Sequence, residues 1–340
     1  MKIALDAMGG DNAPASVIKG ADIALVSYPQ LEFIIFGDKE QVEPLLHKHP
    51  KLAKKSRFIH TDIIVANEEK PSVALRQGKN SSMALAIDAV KRGDADAVIS
   101  AGNTGALMAM SKIALRTLPG IDRPAICSLF PTSKGQSVML DLGANPECSA
   151  ENLFQFAVMG EAYARAVLGK KDASIGLLNI GSEAGKGIDS VRRAADLLED
   201  THLPLNFKGF VEGNDIAMGT VDVVVADGFS GNIALKTAEG AGKLCAEYLK
   251  RGLTSSIMAR CGAVLAKPAL KSVFKKIDPR SHNGGMFVGL NGIVVKSHGG
   301  TDHIGFANAI EVTVNLVKDK INDRIIEEIG FVSEEGELEY

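Results

Sequence analysis

The feature that most constrains this chain is a recurring unit: a short β-branched run ends in glycine with small polar or acidic residues, and a helical pattern follows. Lys2–Asp6 runs into Ala7-Met8-Gly9-Gly10-Asp11-Asn12-Ala13-Pro14, and Ala97–Ser100 into Ala101-Gly102-Asn103-Thr104-Gly105. Ser137–Asp141 leads to Leu142-Gly143-Ala144-Asn145-Pro146, and Ser174–Ile180 to Gly181-Ser182-Glu183-Ala184-Gly185-Lys186-Gly187. Val221–Ala226 leads to Asp227-Gly228-Phe229-Ser230-Gly231-Asn232, and Gly292–Lys296 to Ser297-His298-Gly299-Gly300-Thr301-Asp302. Glu32–Phe36 and Ala125–Phe130 read as two further strands. Helical patterns cover Pro14–Ser27, Lys39–His47, Met83–Lys91, Gly105–Arg116, Ala150–Val167, Asp189–Glu199, Ile233–Lys250 and Ile304–Ile329. This alternation predicts a three-layer α/β/α, Rossmann-like sandwich with a largely parallel sheet. Near-continuous apolar strands such as Val221–Ala226 expect helices on both faces. No Pro/Ser-rich linker or internal repeat interrupts the pattern, so residues 1–340 are expected to form one α/β unit.

Several classes are excluded by composition. A net charge of −3 argues against a general nucleic-acid binder. The cysteines at 127, 148, 245 and 261 contain no C-x-x-C pair, so neither a disulfide framework nor a cysteine zinc site is expected. The apolar run after Lys2 reaches only Leu5, too short for a signal peptide, and no 18-residue apolar stretch exists. The expected address is the cytoplasm.

One segment departs from the acidic body. From Lys250 to Lys276 the chain carries Lys250, Arg251, Arg260, Lys267, Lys271, Lys275 and Lys276 and no acid, which leaves −10 for the remainder. Leu253, Ile257, Cys261, Val264 and Leu265 fall in one helical arc with Arg260 at its edge. Pro268 is expected to break that helix, and Leu270, Val273, Phe274 and Ile277 form a second stripe. The reading is an inserted basic amphipathic helical hairpin at about 250–277.

In open α/β sheets, ligands bind beyond the carboxyl ends of the strands, where these glycine turns gather. Glycine lets backbone approach a ligand, and the following helix N-terminus suits an anion. A single such turn is ordinary turn chemistry; six after strands point to a site. None contains a full G-x-G-x-x-G. Gly181–Gly187 has one residue too few for a P-loop and glycine where magnesium needs Ser or Thr, so an ATPase is disfavoured. Lys186, in a glycine-flanked loop, and His298, before Gly299-Gly300, are candidate functional groups. Asn232 is either a helix cap or an amide aimed into the cleft. Asp6 and Asp11 either bind substrate or organise the first turn. His298 and His303 lack further ligand pairs, so no metal site is expected.

At these turns the sequence resembles a known family, the bacterial phosphate acyltransferases of phospholipid synthesis, or acyl-(acyl-carrier-protein):phosphate acyltransferases. The resemblance is carried by ALDAMGGDNAP from Ala4, ISAGNTGALMA from Ile99, LDLGANPEC from Leu140, LLNIGSEAGKG from Leu177, VVADGFSGNIALKT from Val224 and VVKSHGGTD from Val294. It implies conversion of fatty acyl-carrier-protein and inorganic phosphate to acyl phosphate and free carrier protein. It further implies a homodimer, no metal or nucleotide cofactor, and kinship with phosphate acetyltransferases.

On that resemblance the catalytic candidates are Lys186, Asn232 and His298. Phosphate contacts are expected from Asp6, Gly9, Gly10, Asp11, Asn103, Thr104, Asn145, Ser230 and Gly231. Phosphate is already an anionic nucleophile, so no Ser-His-Asp triad is required. Glycine-turn amides and Lys186 suit phosphate, Asn232 and His298 suit the oxyanion, and Lys186 or His298 suits the leaving sulfur. Arg251, Arg260, Lys267, Lys271 and Lys275 suit an acidic carrier protein, an anionic membrane at its inner face, or solvent around a dimer contact. Two rivals remain: a short-chain enzyme acting on acyl-coenzyme A, and a non-catalytic peripheral membrane scaffold.

Overall fold

The computed structural model describes residues 1–277, 280 and 283–334, with backbone alone for 272–277 and 328–334. Its strands are β1 (Lys2–Asp6), β2 (Glu32–Gly37), β3 (Ser56–His60), β4 (Ala97–Ser100), β5 (Ala125–Thr132), β6 (Gly135–Leu140), β7 (Ser174–Leu178), β8 (Asn206–Val211), β9 (Val223–Val225), β10 (Gly285–Val288) and β11 (Ile293–Lys296). They form one sheet in the order β3-β2-β1-β4-β11-β10-β5-β6-β9-β7-β8.

Two-residue alternation along these strands separates two apolar layers. Ile3, Leu5, Phe33, Ile35, Ala97, Ile99, Val223 and Val225 join one core cluster, which helices Ala15–Ser27, Ala150–Leu168 and His303–Lys318 cover. Ala4, Ile34, Phe36, Val98, Val224 and Val294 point the other way, toward helices Ser82–Lys91 and Thr104–Leu115. Helices on both faces give the expected three layers.

The sheet is largely parallel, but in two sets. β3, β2, β1, β4 and β11 run one way. Antiparallel pairings through β10 and β5 then reverse the direction, so that β6, β9, β7 and β8 run the other way. β5 serves both sets, pairing Ala125–Cys127 with β10 and Ser128–Thr132 with β6. Six strand steps separate β1 from β9. At roughly 20–25° of twist per step, the rotation between the two sets exceeds 100°.

The hairpin is longer than the basic segment suggests. It comprises helices Gly228–Thr254 and Ile257–Ile277, so it begins at the β9 turn and not near 250. Leu253 and Ile257 fall on different helices, because Ser255 and Ser256 make the turn: Ser256 Oγ accepts from the Ala259 amide at 3.1 Å. Pro268 lies inside the second helix and does not break it. The carbonyl its missing N–H leaves unpaired belongs to Val264, which is exposed, so water can take its place. The expected Ile304–Ile329 helix is likewise two, His303–Lys318 and Ile321–Glu334, divided where Lys320 adopts φ +50°.

The long helix starts on a firm seat. The Asp227 side chain caps it by accepting from the Ser230 amide at 2.6 Å, and the Gly228 amide donates to the Asn145 carbonyl at 2.8 Å. A Cβ on Gly231 would stand 2.0 Å from the Asp141 carbonyl oxygen. Substituting Gly231→Ala is therefore expected to cost about 3 kcal/mol of stability, read as a lower urea midpoint. An unchanged midpoint would contradict this packing.

Candidate functional site

The six glycine turns gather as three, two and one. The turns after β1, β4 and β11 are bonded to one another. The Asp11 amide donates to the Gly299 carbonyl at 2.9 Å and the Ser297 amide to the Ser100 carbonyl at 2.9 Å. Asn12 Nδ2 donates to the carbonyls of Gly300 and Thr301. Gly10, at φ +102°, sits where a Cβ would meet the Gly299 carbonyl oxygen at 3.0 Å, so this turn admits only glycine without strain.

Asp6 organises this cluster from beneath. It is buried and accepts from Ser82 Oγ and Ser100 Oγ, each at 2.6 Å, and from the Met8 amide. Burial raises its pKa and these bonds oppose the rise. Asp11 stays near the surface, where Oδ1 accepts from Asn67 Nδ2 at 2.8 Å. Asn103 caps helix Thr104–Leu115 through Oδ1, and its Nδ2 donates to the Asn67 and Glu69 carbonyls at 2.8 Å. Its amide is thus engaged in holding the 66–69 loop. Thr104 is half-buried at the first position of that helix.

The turns after β6 and β9 make the second group. Asp141, fully buried, accepts from the amides of Ile126, Gly143, Ala144 and Asn145 and from Asn145 Nδ2. Asn145 also donates to the Pro124 carbonyl at 2.8 Å, so its amide nitrogen shapes the turn. Asn232 is not the cap, since Asp227 holds that place; it lies one turn into the helix, half-buried, with Nδ2 2.8 Å from where a Cβ on Gly143 would stand. Ser230 and Gly231 lie between them.

One face of the long helix joins the two groups. Asn232, Lys236, Glu239 and Lys243 recur at helical spacings of four, three and four, within one narrow arc. Lys236, Glu239 and Lys243 all act electrostatically on His298, and Lys236 also acts on Lys296. The β11 turn therefore faces the stripe that begins with Asn232.

His298 is fixed through its neighbours. The Gly300 amide donates to Nδ1 at 3.2 Å, which leaves the proton of the neutral ring on Nε2. Partial burial lowers its pKa first; Lys296, Lys236 and Lys243 lower it further against Glu239. At neutral pH it is a neutral donor. Its own amide donates to Asn283 Oδ1 at 2.9 Å. Asn283, buried where the chain returns from the hairpin, spends its Nδ2 on Ser297 Oγ, Thr301 Oγ1 and the Gly305 carbonyl.

Lys296, the last residue of β11, was not singled out from the sequence, nor were Asp141 and Asn283. Its Nζ donates to the Ala101 carbonyl at 3.3 Å and to the Ser297 carbonyl. Burial lowers its pKa to about 8, with Lys236 adding to the drop and Asp11 and Asp6 resisting it. A strand-end lysine is ordinary in sequence; only the packing of three turns around it gives it an unusual environment.

Lys186 stands apart. It is exposed on the loop after β7, its amide donates to the Glu183 carbonyl, and its carbonyl accepts from Asn179 Nδ2 at 3.1 Å. Among the described residues no contact joins it to Asn232 or His298. Its strand does neighbour β9, so its loop emerges beside the turn that carries Asn232. Arg251 is exposed and paired with Glu247, Arg260 donates to the Thr254 carbonyl, and Lys267 and Lys271 are exposed. The side chain of Lys275 lies outside the described residues.

A polar cleft of about 680 Å³ behind the β6 turn is lined by Lys112, Arg123, Glu147 and Cys148. Burial, then Asp141, pushes the Cys148 thiol up to about 12, so it is not a thiolate nucleophile. Among the described residues no group of three His, Cys, Asp or Glu side chains is placed to hold a metal, and no helix is long and apolar enough to cross a membrane.

A family described as fatty acid synthesis protein matches residues 1–324. A phosphate acyltransferase of Rhodospirillum centenum is 60% identical over 328 residues, 96% of this chain and 92% of that one. One of Paramagnetospirillum magneticum is 57% identical, covering 96% and 93%. Among solved structures, a branched-chain phosphotransacylase from Enterococcus faecalis superposes with TM-score 0.61 at 14% identity, over 93% of this chain and 99% of that one. EutD phosphotransacetylase from Staphylococcus aureus gives 0.58 at 18% identity, over 95% and 94%. These two likenesses establish the α/β fold.

The lowered Lys296 pKa fixes a sign for stability. Below about pH 8 the ammonium is charged in folded and unfolded chains alike, so its desolvation weighs fully against the fold; the penalty is relieved between about 8 and the ordinary 10.5. Relative to Lys296→Met, the wild-type chain is expected to gain stability across that window in urea titrations. A difference that does not change with pH would contradict the assigned environment.

Proposed function

We propose that this chain, which belongs to the fatty acid synthesis protein family, is a phosphate acyltransferase that moves a fatty acyl group from acyl carrier protein to inorganic phosphate. The products are acyl phosphate and free carrier protein, an early step of phospholipid synthesis. A phosphate oxygen bonds to the acyl carbon, the C–S bond breaks with its electron pair on sulfur, and the hydrogen phosphate proton ends on the thiol. The observation that carries this reading is that three glycine turns bonded to one another stand within electrostatic reach of the polar stripe of the long helix, with cations and a neutral imidazole between them.

Such an arrangement suits the reaction term by term. Gly9, Gly10 and their neighbours in the β1 turn offer close backbone approach to phosphate, beside the Thr104 helix start. Asn232 Nδ2 and His298 Nε2 donate to the oxyanion of the tetrahedral intermediate; one such donor is worth about 3 kcal/mol. Lys186, exposed on the loop beside the β9 turn, is assigned to steady the departing sulfur once substrate is bound. Asp6, Asn103 and Asn145 serve by shaping turns rather than by touching substrate. Phe229 and Ile233, exposed on either side of Asn232, give the acyl chain an apolar footing.

The hairpin supplies the partners. Exposed Arg251, Arg260, Lys267 and Lys271 suit an acidic carrier protein. Leu244, Tyr248, Val264 and Leu265 are exposed along its length, and Ile257 and Met258 at its tip are 81% and 85% exposed. We assign the length to a second copy in a homodimer and the tip to an anionic membrane, which places the enzyme in the cytoplasm at the inner membrane face.

Palmitoyl-carrier protein, phosphate and purified enzyme are expected to yield phosphate-dependent acyl hydroxamate on trapping with hydroxylamine, and palmitoyl-coenzyme A much less. Asn232→Ala should lower kcat roughly 100- to 1,000-fold in a folded protein. Hydroxamate formation independent of phosphate would refute the reaction, and near wild-type turnover in the variant would refute the oxyanion role.

Carrier docking makes a separate demand. Lys271→Glu should raise KM for the carrier-protein substrate several-fold, more at low salt, with kcat little changed. An unchanged KM removes the docking assignment.

A further inference from the structure

We infer that Lys296 is the residue that receives the inorganic phosphate, an assignment that rests on the reaction proposed above and names the group on which its anionic substrate lands. Lys296 carries a charge that no direct ion pair among the described residues meets. Lys296 ends β11 in register with Ser100 of β4, so its side chain issues where the three bonded turns meet. Its ammonium has three donors, and the bonds it makes go to two neutral carbonyls, those of Ala101 and Ser297. Among the described residues no carboxylate stands within ion-pair distance of it.

The nearest acids, Asp11 and Asp6, act on Lys296 from beyond ion-pair distance and point their oxygens at other donors. Asp6 accepts from Ser82 and Ser100, and Asp11 from Asn67. Across the cleft the long helix presents Lys236, a like charge, where a structural lysine would be met by an acid. A half-buried cation without a direct ion pair is costly, and a ligand anion that reaches it offsets that cost. The carrier protein's acids suit the hairpin and its reacting thioester group is neutral, so at the turns phosphate is the substrate that brings a negative charge. Phosphate seated on Lys296 would lie near His298, two residues on in the same turn and within electrostatic reach of the same ammonium. Lys186, exposed to water, has no comparable deficit.

The test measures phosphate and carrier-protein dependence separately in Lys296→Met and Lys296→Arg. Lys296→Met is expected to raise KM for phosphate at least about 30-fold, the loss typical of a charge-assisted contact, while KM for the acyl carrier protein stays within twofold. Phosphate should raise the wild-type melting temperature and fail to raise that of Lys296→Met, and Lys296→Arg should recover part of both effects. Equal increases in the two KM values with an intact phosphate-induced thermal shift would overturn the assignment in favour of a structural strut. A measurement on the wild-type chain covers failure of the variants to fold. Trinitrobenzenesulfonate modification of Lys296, followed by peptide mass spectrometry, should slow in phosphate but not in chloride of equal ionic strength. Modification indifferent to phosphate would overturn the proposal. Wild-type enzyme that forms no acyl phosphate yet shows this protection would refute the reaction and leave Lys296 as an anion site.

Discussion

Two parallel strand sets that run in opposite directions open their carboxyl-end turns on different edges, and a shared ligand site between them needs a bridge. Here the bridge is the polar stripe of helix Gly228–Thr254. Its base is locked to the β6 turn by contacts too close for any side chain at Gly231, and its next turns bring Lys236, Glu239 and Lys243 within electrostatic reach of His298 of the other set. Asp141 is the anchor of that base, a fully buried carboxylate with five donors converging on it. A buried carboxylate is tolerable only when so satisfied. The site is therefore as rigid as the packing of one helix end.

The electrostatics follow from that placement. The turns after β1, β4 and β11 use their acids internally: Asp6 to gather Ser82 and Ser100, Asp11 to hold Asn67. What remains around His298 is Lys296, Lys236 and Lys243 against Glu239, with an imidazole that burial first and these cations second keep neutral. Such a field draws in an anion and stabilises negative charge that develops beside it.

The sequence made the layers legible because apolar runs and glycine punctuation are local signals. Strand pairs such as Ile3 and Leu5 against Ala4 needed only alternation to be read. The strands β3, β8 and β10 escaped: Ser56–His60 and Asn206–Val211 are half-covered and interrupted by polar residues, and Gly285–Val288 owes its pairing to the distant β5 and β11. The reversal of direction through β10 and β5 is a long-range pairing that no window of sequence contains. Asn232 and His298 were visible because they sit in glycine turns. Lys296, Asp141 and Asn283 were not, because what distinguishes them is burial and partners drawn from distant segments. The basic charge run marked only the second half of the hairpin, whose first helix begins among residues that read as a turn.

The claim on which the account depends is that one anion pocket lies between the helix stripe and the triple turn. A crystal structure of the wild-type chain soaked with tungstate, a heavy-atom mimic of phosphate, tests it most directly. The account predicts anomalous density within hydrogen-bond distance of Lys296 and beside His298, facing the side of the long helix that carries Asn232 and Lys236. Density confined to the Gly181–Gly187 loop, with none touching the stripe or the β11 turn, would contradict it.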